Sequence, residues 1–375
     1  MSSDLNPTVL FREHPTPGGQ RIGFAQLNAE RSLNALTLEM VRLLDGKLRD
    51  WANDAGIAIV VLSGAGPKAF CAGGDIRKLL ESIKAQPAVL PGLDFFAAEY
   101  SLDYRIHRYP KPVLVWGGGI VFGGGIGLMA GASHRVVTET SKLAMPETRI
   151  GLFPDVGASH FLDRMPRTLG RFYGMTGATL DAHDSLATGL ADYFIANTGR
   201  DALWYRLETS RWHDDAAANA TALDVLLQSF CAQAGASVPE SPLAVHGELL
   251  DRLVTGDFAD TYRNITSHVS SDPWLASAIA TLRTGSPTSA ALSFELQRRL
   301  ADRSLADVFR TELTVAVRCC QRPDFAEGVR ALLIDKDNHP QWSPSRIEEV
   351  TPEWIESFFS EPRWPLQTHP LEDLD

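Results

Sequence analysis

The apolar positions at the start of the chain recur with the period of strands. Val9 to Glu13 and Arg21 to Leu27 are two such runs, and the turn-forming residues Pro15 to Gly19 between them predict a hairpin. From Thr37 to Asn53 the period lengthens, and Met40, Leu44, Leu48 and Trp51 fall on one face of a helix. Ile57 to Leu62 is apolar without a break, as a buried strand requires, and SGAGPKAF closes it. Ala69 to Leu80 then sets small residues and glycines ahead of Asp75, where a helix can begin with Asp75 as its N-cap. Pro87 to Gly92 reads as a loose connection. Leu93 to Arg108 reads as a helix carrying Phe95, Phe96 and Glu99, with Glu99 on its surface. Pro112 to Trp116 is a further buried strand, and Ile126 to Ala130 can start a helix. Ser159 to Gly174 and Leu180 to Ala187 read as helical, and Asp192 to Ala196 as a short strand. Past about Arg200 the pattern is one of helices joined by polar turns, and Gly285 to Ser289 sets off a last helical group. No internal repeat is visible.

The stretch from Trp116 to Gly157 concentrates the candidate chemistry. Gly123, Gly124 and Gly125 lie between a strand and a helix, where backbone N–H groups can approach a ligand without a Cβ in the way. The first turn of a helix has N–H groups with no helical acceptor, so this arrangement suits an anion or an oxyanion. Gly74 offers a second such donor from another loop, and two backbone donors are what an oxyanion hole needs. Glu147 follows Pro146 and Asp155 follows Pro154, so each carboxylate sits in a constrained turn. With Leu143, Met145, Ile150, Leu152, Phe153 and Val156 around them, desolvation should raise both carboxyls toward neutrality. The same spacing also fits plain turns, with Asp155 as N-cap of a helix beginning near Ala158. Spacing alone does not separate the two. Cys71 reads as packing, having no His or Asn nearby in sequence and no evident positive charge.

Composition narrows the partners. A net charge of −11 disfavours nucleic acid and anionic membrane surfaces, and no window approaches the roughly 18 apolar residues of a spanning helix. The four cysteines form no CxxC pair, which fits a reducing compartment. The first residues have neither signal nor transit character, so the expected location is cytoplasmic. No metal site is expected. The glycine run has no G-x-x-x-x-G-K-[ST] and lacks the acid expected about 20 positions on, which argues against phosphate-loop and dinucleotide folds. At 375 residues the chain should form one large domain with an appendage, or two domains.

Four segments, AFCAGGDIRKL, GGGIVFGGGIGL, AMPETRIGLFPDVGASHFL and DFAEGVRALLIDKDNHPQWSP, together resemble the enoyl-coenzyme A hydratase/isomerase (crotonase) superfamily, over about Val9 to about Phe359. The resemblance implies an α/β fold, a spiral of ββα units with a helical C-terminal region. Residues 1–200 would form the acyl-CoA-binding catalytic core and 201–375 the helical region. It implies that the thioester oxygen meets the N–H groups of Gly74 and Gly124, that Glu147 is the catalytic carboxylate, and that Asp155 is the second acid of the hydrolase branch. Glu99 matches a substrate-contacting glutamate, against its reading as a surface residue. Where hydratases of this superfamily carry a second glutamate this chain has Gly127. The expected reaction is therefore hydrolysis of a short 3-hydroxyacyl-CoA thioester, with hydratase or isomerase activity, or silent acyl-CoA binding, as the alternatives. CoA would lie along Arg31, Asn34, Ala35 and Leu36 and along Ala69, Ala72, Gly73, Asp75 and Ile76, with Arg31 or Lys68 as phosphate partners. No cofactor beyond the CoA of the substrate is implied. Relatives form trimers or pairs of trimers, a homo-oligomeric contact that the extended C-terminal part could replace.

Overall fold

In the computed structural model, which describes every residue except 1–6, 86–89, 167 and 234–240, the hairpin forms where the alternation places it. β1 (Val9–Pro15) and β2 (Arg21–Leu27) pair antiparallel, with Val9 opposite Leu27 and Pro15 opposite Arg21. β3 (Ile57–Gly64) is buried at every position, because its neighbours on both sides are parallel strands and both faces are covered. Of the connection expected over Pro87 to Gly92, residues 87–89 lie outside the described residues.

Six further strands follow: β4 (Ala69–Cys71), β5 (Val113–Trp116), β6 (Ile120–Phe122), β7 (His134–Val137), β8 (Lys142–Ala144) and β9 (Tyr193–Phe194). They build a six-stranded sheet of order β1-β2-β3-β5-β7-β9 and a three-stranded sheet of order β4-β6-β8. The sequence pattern does not predict the smaller sheet, whose strands have only three residues each, β4 and β6 beside glycine-rich stretches. The helix Leu38–Asn53 starts where Thr37 caps it, its hydroxyl accepting from the Met40 N–H at 3.2 Å, and it buries Met40, Leu44, Leu48 and Trp51.

Packing divides the chain into two compact units that interleave in sequence. Met1–Gly73, Arg105–Leu143 and Leu180–Glu240 form one; Gly74–Tyr104, Ala144–Thr179 and Ser241–Asp375 form the other. In the first unit, Ile22, Ile59, Leu114 and Val136 of the large sheet meet Leu203, Leu207, Trp212, Leu223 and Leu227. The helices Arg200–Thr209 and Ala216–Gln233 therefore cover that sheet.

The second unit is helical. Ser286, Ser304 and Thr351 cap the helices Pro287–Leu300, Leu305–Cys320 and Pro352–Phe359, and two of these carry proline in the first turn, where its missing N–H is not needed. The run expected as helical from Ser159 to Gly174 is two helices, Ala158–Asp163 and Leu169–Thr176, with Pro166 between them. In the first unit, the strand expected over Asp192 to Ala196 is confined to β9, and the helix expected from Ile126 already begins at Gly124.

Candidate active site

Glu147 opens a single 3-10 turn, Glu147–Ile150, which Gly151 closes in the left-handed conformation at φ +72°. The turn is held by contact with the C-terminal motif. A Cβ on Gly151 would come within 2.4 Å of the Asp324 carbonyl carbon, and a Cβ on Gly328 within 2.6 Å of the Ile150 Cα. Each glycine lets the other backbone approach, and the Ser286 N–H donates to the Thr148 carbonyl at 2.9 Å. The AMPETRIG and DFAEGVR segments, far apart in sequence, thus fit each other. Gly328→Ala should destabilise the protein by roughly 1–3 kcal/mol through overpacking against backbone that cannot swing aside. Thermal melting checks this, and an unchanged melting temperature would contradict it.

Glu147 shares this unit with three further buried carboxyls on the helix Leu93–His107 and in the LFPDVG turn. Glu147 is 7% exposed, Asp155 6%, Glu99 2% and Asp103 fully buried. Burial pushes the Glu147 carboxyl well above its usual range, and the Asp155 and Glu99 charges push it further. Burial also raises Glu99, with the Asp155 charge adding to it. Asp103 is raised by burial and by the charges of Glu99, Asp155 and Glu312. Asp155 is pushed up to about 6 by burial, less than the others because the Tyr100 hydroxyl donates to its Oδ2 at 2.7 Å. Among the described residues no lysine, arginine or histidine charge offsets any of the four. One oxygen each of Glu147 and Glu99, both of Asp103 and the Tyr173 hydroxyl have no hydrogen-bond partner among the described residues. Buried carboxyls that hold protons near neutrality, with oxygens unspent on the protein, can accept a proton, donate one or take up a substrate hydroxyl.

Two expectations are corrected here. Glu99 is buried, because it falls with Phe95, Phe96, Tyr100 and Tyr104 on the covered face of the helix Leu93–His107, opposite the stripe that carries the exposed Asp94. Asp155 does not cap the helix Ala158–Asp163. The cap position is Gly157, with no side-chain bond, and the Asp155 carboxylate is engaged by Tyr100. Asp75 does take the N-cap role, its Oδ1 accepting from the Lys78 N–H at 3.2 Å ahead of the helix Ile76–Ala85.

In the first unit, the two segments expected to hold CoA are bonded to one another. The Leu36 N–H donates to the Gly73 carbonyl at 2.8 Å, and the Ala72 N–H to the Leu33 carbonyl at 3.0 Å. Asn34 is buried and its amide is spent on this brace, donating to the Ala65 and Ala69 carbonyls and accepting from the Ala29 N–H. Ala35 lies within this braced loop, and Arg31 and Lys68 are exposed beside it in sequence. Gly124 opens the helix Gly124–Ala130, so its N–H has no acceptor within that helix. The next residue, Gly125, is required because a Cβ there would lie 2.5 Å from the Cys71 carbonyl. Cys71 is buried packing, as its sequence context suggested. In the second unit Gly74 packs against Phe95, and its carbonyl accepts from the Ile76 N–H at 2.9 Å.

Sequence reasoning missed Tyr100, Asp103, Tyr173 and Glu312. Only Asp103 left a signal, four residues after Glu99 and hence on the same helix face. Glu312, in the helix Leu305–Cys320, is fully buried and pushed up to about 8 by burial, although two backbone N–H bonds oppose the shift. Glu99, Asp103, Glu147, Asp155 and Glu312, and Asp324 beside them in the same unit, have folded-state pKa values above their unfolded ones. Their contribution therefore favours the folded protein most below about pH 4 and is lost as pH rises, through about 6 for Asp155 and about 8 for Glu312. The melting temperature should fall between about pH 5 and pH 9, each proton contributing up to about 1.4 kcal/mol per pH unit. A melting temperature that is flat or rises over that window would contradict the assignment.

Comparison with known proteins bears on what such a site does. A family model described as enoyl-CoA hydratase/isomerase matches residues 22–359. The 3-hydroxyisobutyryl-CoA hydrolase, mitochondrial, of Danio rerio is 38% identical over 367 residues, 96% of this chain and 91% of the relative. Among solved structures, a carnitinyl-CoA dehydratase from Mycobacterium thermoresistibile superposes with a TM-score of 0.84 at 34% identity, covering 98% of this chain and all of its own. An enoyl-CoA hydratase from Rhodobacter sphaeroides superposes with a TM-score of 0.82, also at 34% identity, covering 95% of this chain and 98% of its own.

Proposed function

We propose, from the premise that this chain belongs to the enoyl-CoA hydratase/isomerase family, that it is an acyl-CoA thioester hydrolase acting on 3-hydroxyisobutyryl-CoA. Water and the thioester give 3-hydroxyisobutyrate, free CoA thiol and a proton, a step that fits valine degradation. The observation that carries the reading is Glu147, a buried carboxyl that, among the described residues, has one oxygen without a hydrogen-bond partner and no cation to offset it. Position 127 is glycine and supplies no second acid of the kind that hydration needs, which favours hydrolysis over the chemistry in the names of the two solved relatives.

In this mechanism the N–H groups of Gly74 and Gly124 bind the thioester oxygen and stabilise the negative charge that develops on attack. Glu147, as carboxylate, delivers the attack at the carbonyl carbon, on the carbon itself or through a water whose proton it takes. Direct attack expels the CoA thiolate and leaves a mixed anhydride on Glu147 that a water then cleaves, restoring the carboxylate. Attack through water expels the thiolate in the same step, and in both routes the water supplies the proton that ends on the thiolate. Asp155, ionised above about pH 6, accepts the substrate's 3-hydroxyl. The reaction uses no metal or cofactor besides the CoA of the substrate. CoA lies on the braced loop 31–36 with 69–76, with Arg31 or Lys68 meeting its phosphates. Four unbridged cysteines support a reducing compartment, and the cytoplasmic expectation stands beside relatives whose names place them in mitochondria. Among the described residues no helix is long and apolar enough to cross a membrane.

A panel of short acyl-CoA esters assayed for thiol release tests the substrate. The 3-hydroxyisobutyryl and 3-hydroxypropionyl esters should be cleaved at least about tenfold more efficiently than isobutyryl-CoA, the difference that pairing one buried hydroxyl makes. Equal rates on all three would remove the role given to the hydroxyl, and no thiol release at all would remove the hydrolase.

A further inference from the structure

We infer that Glu312 is a positioning residue for this reaction, its carboxyl group locking the turn that presents Asp155; the inference rests on the role of Asp155 proposed above. The turn is a strained one. Val156 lies at φ +54°, a left-handed conformation that a β-branched residue rarely adopts, and Gly157 follows at φ +83°. Two successive left-handed residues reverse the chain between Asp155 and the helix Ala158–Asp163, and something outside the turn must hold them. Glu312 does so with both oxygens. Its Oε2 accepts from the Gly157 N–H at 2.7 Å and its Oε1 from the Ser159 N–H at 3.0 Å.

The same helix supplies the packing. Phe309, one turn before Glu312, lies against Gly157, where a Cβ would meet its ring at 3.0 Å, and it packs on the ring of Tyr100 at 5.8 Å between centroids. Tyr100 in turn donates to the Asp155 carboxylate. The backbone of the Asp155 turn is thus held by Glu312 and its side chain by Tyr100, with Phe309 wedged against both. Nothing in the mechanism uses Glu312 directly, and its oxygens are committed to the Gly157 and Ser159 N–H groups and the Ser159 hydroxyl.

The test is the ratio of kcat/KM for 3-hydroxyisobutyryl-CoA to that for isobutyryl-CoA, measured on the full chain. In Glu312→Gln the amide keeps one acceptor and sets an NH2 against the other N–H. Activity on the hydroxylated ester should fall on the order of 10–100-fold, the cost of a misplaced group, and on isobutyryl-CoA by less than about threefold. In an Asp155→Asn background Glu312→Gln should change the ratio no further. If the glutamine variant does not fold, Ser159→Pro carries the same test, since it removes the N–H that Oε1 accepts together with the Ser159 hydroxyl that also bonds Glu312, in the first turn of a helix, where proline is tolerated. A ratio left as in the wild type, or equal losses on both esters, overturns the inference while Asp155→Asn alone still collapses the ratio. If Asp155→Asn itself leaves the ratio unchanged, the reading of Asp155 has failed and this inference falls with it.

Discussion

Glu147→Gln should lower kcat for thiol release from 3-hydroxyisobutyryl-CoA by roughly 10²–10⁴-fold, the range that a positioned acid–base group supplies, while binding of the CoA ester stays within a few-fold. The substitution keeps the volume of the side chain and its place in the 3-10 turn, so the Gly151 and Gly328 contacts that fix the turn are undisturbed. What it removes is the capacity to hold negative charge. Because Glu147 is buried and, among the described residues, has one oxygen unpartnered and no offsetting cation, the amide relieves a desolvation cost. The variant should therefore be at least as stable as the wild type while inactive. Kinetics and calorimetry together check this, and a stable variant retaining near wild-type turnover would remove Glu147 from the chemistry.

Asp155→Asn should act on a different quantity. Efficiency on 3-hydroxyisobutyryl-CoA should fall by about 10²-fold, the cost of unpairing a buried hydroxyl from a charged acceptor, with isobutyryl-CoA changed by only a few-fold. In the wild type kcat/KM should rise with pH through about 6, as the carboxyl held by Tyr100 ionises, and that limb should vanish in the variant. Equal losses on both esters would give Asp155 to the carbonyl chemistry instead of the hydroxyl. An unaltered limb would mean that some other group titrates there.

Local pattern made much of this legible. The β1–β2 hairpin, the Thr37-capped helix and the wholly buried β3 each follow from periodicity and one or two punctuating residues. The proline-flanked carboxylates were visible for the same reason. Hidden were the elements made by distant pairing. β4, β6 and β8 have three residues each, too few for a period, and β4 and β6 are strands because each lies beside the other. Glu99 is hidden because a lone glutamate in a helix is ordinarily solvated, whereas this one falls on the buried aromatic face. Glu312 lies 155 residues from the turn it holds, and nothing in its own neighbourhood announces that bond. Gly328 could be read only as part of a motif, and its reason is the Ile150 backbone pressed against it.

Hydrolysis and dehydration of one substrate leave different products, and their masses decide between them. Incubated with 3-hydroxyisobutyryl-CoA, the protein should yield 3-hydroxyisobutyrate and free CoA in equal amounts. Loss of water to give methacrylyl-CoA, with the thioester intact and no thiol released, would contradict the account.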